Sequence, residues 1–188
     1  MKKAIFIVAI LFVAVISTAC INNIAVQELN NAAETSMANG DYDAAIKKLE
    51  ASLDLDCNMY ETYYNLGVAY IESRQFSKAV TVLEKSIKLN SKYPESYYSL
   101  GIAQESLADE LSESSSQDDK VKNADGIVKT NYTTSLSEND KETMVENYHS
   151  AILNYNKYID MKNSDSKKEE LASHIKDIEK VIEKLEYQ

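Results

Sequence analysis

Two histidines, His149 and His174, bound the side-chain chemistry open to this 188-residue chain. Glu170 and His174 are four apart, so on a helix they share a face and make a minimal metal pair. No second imidazole lies near them in sequence, and a surface charge pair is the preferred reading. Neither a Gly-rich phosphate loop nor a Ser/His/Asp or Cys/His arrangement can be assembled from the rest. The expectation is therefore a protein that is not an enzyme, with no catalytic residue, no metal and no cofactor. The other reactive groups are the two cysteines, Cys20 and Cys57.

A fixed period organises the elements that carry these residues. Tyr63, Leu66 and Gly67 return 34 positions later as Tyr97, Leu100 and Gly101. The same offset relates Tyr42 to Phe76, Ala45 to Ala79, Leu49 to Leu83, Glu50 to Glu84, Ser52 to Ser86 and Leu55 to Leu89. Such a period means stacked copies of one unit, none able to bury its apolar face alone. Within one copy the spacing predicts a helix near Met59–Ser73 and a second near Phe76–Leu89. Gly67 and Ala79 are small, so the two helices can cross closely. Glycine inside a helix costs about 1 kcal/mol relative to alanine, and close packing is the usual reason to carry that cost.

Tyr63-x2-Leu66-Gly67-x2-Tyr70 followed by Ala79-x3-Leu83 resembles the tetratricopeptide repeat, with Tyr63 where the family has Trp and Ser91 where it usually has Pro. The resemblance implies an all-α fold: a tetratricopeptide-type α-solenoid of about three helix-hairpin repeats plus a C-terminal capping helix. The copies are read as 26–59, 60–93, and a third split into 94–111 and 142–162. The first is weaker in its opening half, where Ala32-Ala33 replace Leu-Gly and Ser36 replaces Tyr. Pro94 suits the first position of a helix, where a missing N–H loses nothing.

The alanine due at position 113 is Glu113, and Tyr148-x2-Ala151-x3-Tyr155 supplies the pattern 38 residues late. Two explanations stand: an insertion at 112–141 inside the third repeat, which is preferred, or a decayed third repeat followed by an independent helix over 138–162. The segment 112–137 is rich in Ser, Asp, Asn, Lys and Thr, and is read as a flexible loop or as a docking loop. Order is expected to resume with Asn139 as N-cap and Glu142 as its partner. Val145, Tyr148, Ile152, Tyr155 and Ile159 then form a core stripe. A last helix over 164–188, capped at Ser166, carries Leu171, Ile175, Ile178, Ile182 and Leu185 and is expected to cover the open end of the stack.

At the front, Met1-Lys2-Lys3, an apolar run over Ala4–Ile16 and small residues before Cys20 have the three-part form of a secretory signal peptide, assigned to 1–19. As a helix, Ala4–Ala19 spans roughly 24 Å, short of the ~30 Å hydrocarbon core. Small residues directly before a cysteine resemble a bacterial lipobox, which implies lipidation of Cys20 and a tether over 20–25. Ordinary cleavage near Ala19 and a retained anchor are the alternatives. More than one acyl chain on Cys20 suffices for stable anchoring to an envelope membrane. Cys57 is then left alone, with no intramolecular disulfide, and is expected half-buried in an inter-repeat turn.

Removing residues 1–19 takes away two lysines and no acid, so the net charge moves from −10 to −12. That argues against nucleic acid or anionic lipid as partner and permits a basic one. Four glycines and one proline leave little turn chemistry for a β-sandwich. In the tetratricopeptide family the first helix of each repeat lines a concave groove for peptides or partner helices. Carried over by phase, the resemblance places in it Asn30, Glu34 and Met37; Glu61, Tyr64, Val68 and Ile71; and Glu95, Tyr98, Ile102 and Glu105. No Lys or Arg stands at these places, which counts against capture of a terminal carboxylate. The floor suits an apolar or aromatic segment with basic flanks, although Tyr64 and Tyr98 are also read as packing between repeats. The functional expectation is a membrane-anchored interaction scaffold binding another envelope protein or peptide segment. The rival is a spacer that self-associates through its last helix.

Overall fold

The computed structural model describes residues 24–117, 136–162 and 165–187. The leader 1–19, the lipidation candidate Cys20 and the run 118–135 lie outside the described residues. Among those described, every regular element is a helix: α1 over 24–38, α2 Tyr42–Leu55, α3 Tyr60–Glu72, α4 Phe76–Leu89, α5 Pro94–Gln117, α6 Glu138–Met161 and α7 Asp165–Glu186. From α2 onward each helix packs on the next, and α3 also touches α5. No described helix is long and apolar enough to cross a membrane.

The period is legible in the turns as well as in the core. At the end of α1, Gly40 has φ of 75°. Its N–H donates to Met37 O and that of Asp41 to Ser36 O, both at 2.9 Å. This paired arrangement satisfies carbonyls that a helix end leaves open. At the matched place after α3, Arg74 takes the same backbone shape with φ of 58°. Its N–H donates to Ile71 O and that of Gln75 to Tyr70 O. A non-glycine residue there costs on the order of 1 kcal/mol. The turns between pairs also match: Asp56 Oδ1 accepts from Asn58 N–H, and Asn90 Oδ1 accepts from Lys92 N–H. Such Asx turns reverse the chain without glycine or proline.

Packing repeats in the same phase. A Cβ added at Gly67 would collide with the Leu83 side chain, and one at Gly101 with the Tyr155 ring. Both partners are fully buried. α6 therefore meets α5 at Gly101 as α4 meets α3 at Gly67. Buried hydroxyls join successive pairs: Asn30 Nδ2 donates to Ser52 Oγ and Thr62 Oγ1, while Ser86 Oγ sits 2.8 Å from Ser96 Oγ and donates to Tyr60 O. One apolar cluster holds Ala45, Leu49, Leu66, Tyr70, Ala79 and Leu83; a second holds Met144, Tyr148, Ala151 and Tyr155 with Leu171, Ile175, Ile178 and Ile182 of α7.

Several local expectations need correction. Helix α1 already includes residues 24 and 25, which had been given to the tether. α5 continues to Gln117 and α6 starts at Glu138, so both ends of the segment read as a flexible insertion are helical. The cap of α6 is Ser137, whose hydroxyl accepts from Asp140 N–H at 3.1 Å; Asn139 lies inside the helix. Serine suits that place because its short side chain reaches back to the open first-turn N–H groups. α7 begins at Asp165, which puts Ser166 inside it rather than before it. Cys57 is exposed rather than half-buried, because its turn closes through Asp56 and turns the thiol outward.

Candidate partner-binding groove

The odd-numbered helices share one side of the stack, and cavities open between them. The first, about 210 Å³, lies between α1 and α3 and is lined by Asn30, Glu34, Glu61, Thr62 and Asn65 among others. Glu34 and Glu61 are exposed along it. Asn65 Nδ2 reaches Glu34 Oε1 at 3.4 Å. Asn30 behaves differently from the expected contact residue. Its amide joins α1 to α2 and α3 by bonding Ser52 and Thr62, so it holds the wall together.

The middle of this side is aromatic. Tyr64 is half-buried and meets Tyr93 edge to face, with centroids 5.1 Å apart. Tyr60 approaches the same ring at 5.2 Å. Burial first, then the neighbouring Tyr64, Glu95, Tyr60 and Glu61, push the Tyr93 hydroxyl up to about 12. Tyr93 is thus a neutral donor throughout the physiological range. Met37 and Ile71 pack, partly buried, on the first core, and Ile102 packs on the second. Val68 is half-buried. Tyr64 and Tyr98 pack between helices as the packing reading expected, and each residue stays partly exposed.

The far end differs most from expectation. Glu95 accepts a bond from Lys162 Nζ. Burial works to raise the Glu95 carboxyl, but that bond, a backbone hydrogen bond and the charges of Lys162 and Lys167 outweigh it and hold it below the ordinary glutamate value. Glu105 accepts from the Tyr155 hydroxyl at 2.6 Å and lies 3.0 Å from His174 Nε2. Burial, then the bond to Glu105 and its charge, hold the Tyr155 hydroxyl far above the usual tyrosine value. The Tyr98 ring lies beside Tyr155 and Tyr158, at 5.9 and 5.1 Å.

A cavity of about 560 Å³ opens here between α5 and α7, lined by Tyr98 with Lys167, Glu170, Leu171, His174 and Asp177. α7 is thus a further wall of the groove, and it brings Lys167 and His174 to a face whose sequence-derived positions carried no basic side chain. The signal was available: with Leu171, Ile175, Ile178 and Ile182 turned into the core, Lys167, Glu170, His174 and Asp177 fall together on the flank beside that stripe at helical spacing. His174 finds its acid in Glu105 on another helix, not in Glu170 four residues before it. Among the described residues no cluster of three or more His, Cys, Asp or Glu could hold a metal.

Comparison with known proteins bears on the fold. The family model described as tetratricopeptide repeat matches residues 36–101. No curated protein matches the chain in sequence. Among solved structures, the first TPR of Spaghetti (RPAP3), bound to an HSP90 peptide, superposes with a TM-score of 0.59 at 15% identity, covering 84% of this chain and 92% of that one. The TPR domain of Arabidopsis OM64 gives 0.60 at 13% identity, with coverage of 83% and 98%. The Sgt2 TPR domain from Aspergillus fumigatus gives 0.54 at 18%, with 87% and 82%. Residues 36–101 thus match the tetratricopeptide-repeat family model, and the chain has the all-α fold of tetratricopeptide-repeat domains.

Proposed function

We propose that this chain is an interaction module and not an enzyme, held at an envelope membrane by lipid on Cys20, whose groove takes an extended segment of another envelope protein. The observation that carries the reading is the row of open positions on one side of α1, α3 and α5, with exposed Glu34 and Glu61 at one end and half-buried Tyr64 and Tyr98 beyond them. Tyrosine offers wide contact area with few rotors to freeze. The Spaghetti neighbour, of the same fold, is bound to a peptide. The anchor rests on the sequence of 1–20 alone. Self-association through the apolar stripe of α7 is the less favoured reading, because Leu171, Ile175, Ile178 and Ile182 are already buried within the chain.

Affinity capture from native envelopes tests both halves at once. Glu34→Lys with Glu61→Lys reverses two exposed charges that hold no core contact. It is expected to reduce recovery of a basic partner about tenfold or more while leaving the melting temperature within roughly 2 °C of the parent. Equal recovery would reject the acidic end of the groove as a contact. In the same experiment Cys20→Ala should leave the membrane fraction and lose incorporation of labelled fatty acid. Retention of both label and membrane would remove the anchor.

A further inference from the structure

A lysine already occupies the far end of the groove, and it belongs to the chain itself. Lys167 Nζ lies 4.5 Å from the centroid of the Tyr98 ring and 5.9 Å from that of Tyr158. The two rings are 5.1 Å apart and inclined at 42°. An ammonium held against two phenol faces is attracted by their quadrupoles. Lys162 Nζ also approaches Tyr158, at 5.8 Å, but it is bonded to Glu95.

Two features make Lys167 an exchangeable occupant. It is exposed, and the burial that fixes α7 comes instead from Leu171, Ile175, Ile178 and Ile182. It also stands in the first turn of α7, where the helix dipole favours acids and opposes a cation. The acids around the cavity are Glu95, Glu105, Glu170 and Asp177; the first two face Lys162 and His174, and Asp177 faces Lys180. Withdrawal of Lys167 leaves Glu170 beside the half-buried Tyr98 ring and the one edge of the otherwise buried Tyr158 ring that the lysine had reached.

We propose that Tyr98 and Tyr158 form a cation-binding cage in which Lys167 is exchanged for a lysine or arginine side chain of the bound partner. This inference rests on the groove reading and adds to it the chemistry of one partner residue. The site sits on a chain whose net charge of −10 favours such a partner.

The test uses the full chain in detergent micelles and three small probes: N-acetyl-lysine methylamide, its norleucine counterpart, which keeps the stem and lacks the ammonium, and N-acetylnorleucine with a free carboxylate. The ring-shifted side-chain proton resonances of Lys167 are followed by NMR. The lysine probe is expected to move them towards the position of a free lysine, and the norleucine probe to leave them in place. Lys167→Ala should bind the lysine probe about threefold tighter, and Tyr98→Leu should abolish the difference between the two methylamides. Equal responses to the two methylamides would overturn the cage. So would a response only to N-acetylnorleucine with a free carboxylate, which would make Lys167 a recruiter of anions. Failure of the cage with partner capture intact leaves the groove standing. Loss of capture with the probe response intact removes the groove instead.

Discussion

Gly101→Ala is expected to lower the melting temperature by about 4–8 °C, although alanine is the better helix former by about 1 kcal/mol. The added methyl would run into the Tyr155 ring. That ring is fully buried, tilted against Tyr98 and tied by its hydroxyl to Glu105, so it cannot swing away without breaking the bond. Overpacking costs up to about 3 kcal/mol where the neighbour is held, which leaves about 2 kcal/mol after the alanine gain, and each kcal/mol is worth roughly 2–4 °C in a domain of this size. Gly67→Ala should cost a similar amount, because the added methyl meets Leu83 at its Cγ, in the middle of a fully buried side chain. An unchanged or raised melting temperature in Gly101→Ala, measured by circular dichroism, would mean that α5 and α6 do not cross as described.

Ending the chain at residue 162 should have the largest effect of any change discussed. It strips Leu171, Ile175, Ile178 and Ile182 from the second core and uncovers Met144, Tyr148, Ala151 and Tyr155. Full burial of four such aliphatic side chains is worth about 6–12 kcal/mol as an upper estimate, comparable with the whole stability of an ordinary domain, about 5–15 kcal/mol. Because stacked repeats couple mainly to their neighbours, the loss should fall on α5 and α6. Hydrogen exchange is expected to show their amides unprotected while those of α2, α3 and α4 stay protected. Equal protection throughout would show that α7 is dispensable and the second core stable without it.

What the sequence disclosed followed from strict geometry. Gly67 and Gly101 recur because each lies against a large buried side chain at a crossing, and no other residue leaves the room. Phe76, Leu89 and Pro94 bound their helices where the pattern placed them. What it concealed depended on contacts between distant segments. Glu95 and Glu105 read as open acids, and only the fold brings Lys162 and His174 onto them across 67 and 69 residues. Asn30 read as a groove contact, yet its amide serves Ser52 and Thr62. Arg74 gave no hint of a left-handed turn, since only its correspondence with Gly40 implies one. The length of α5 was hidden too, because Ser- and Glu-rich sequence supports a solvated helix end as readily as a loop.

The most direct measurement is site-specific photo-crosslinking in native envelopes, with the photoreactive residue placed at Glu61 on the groove side or at Leu153 on α6. Leu153 is 70% exposed and lines a different cavity, beside α4 and α5. A partner segment lying along α1, α3 and α5 predicts a defined protein adduct from position 61 and none from 153. An adduct from 153 with none from 61 would place the binding surface on the opposite side of the stack.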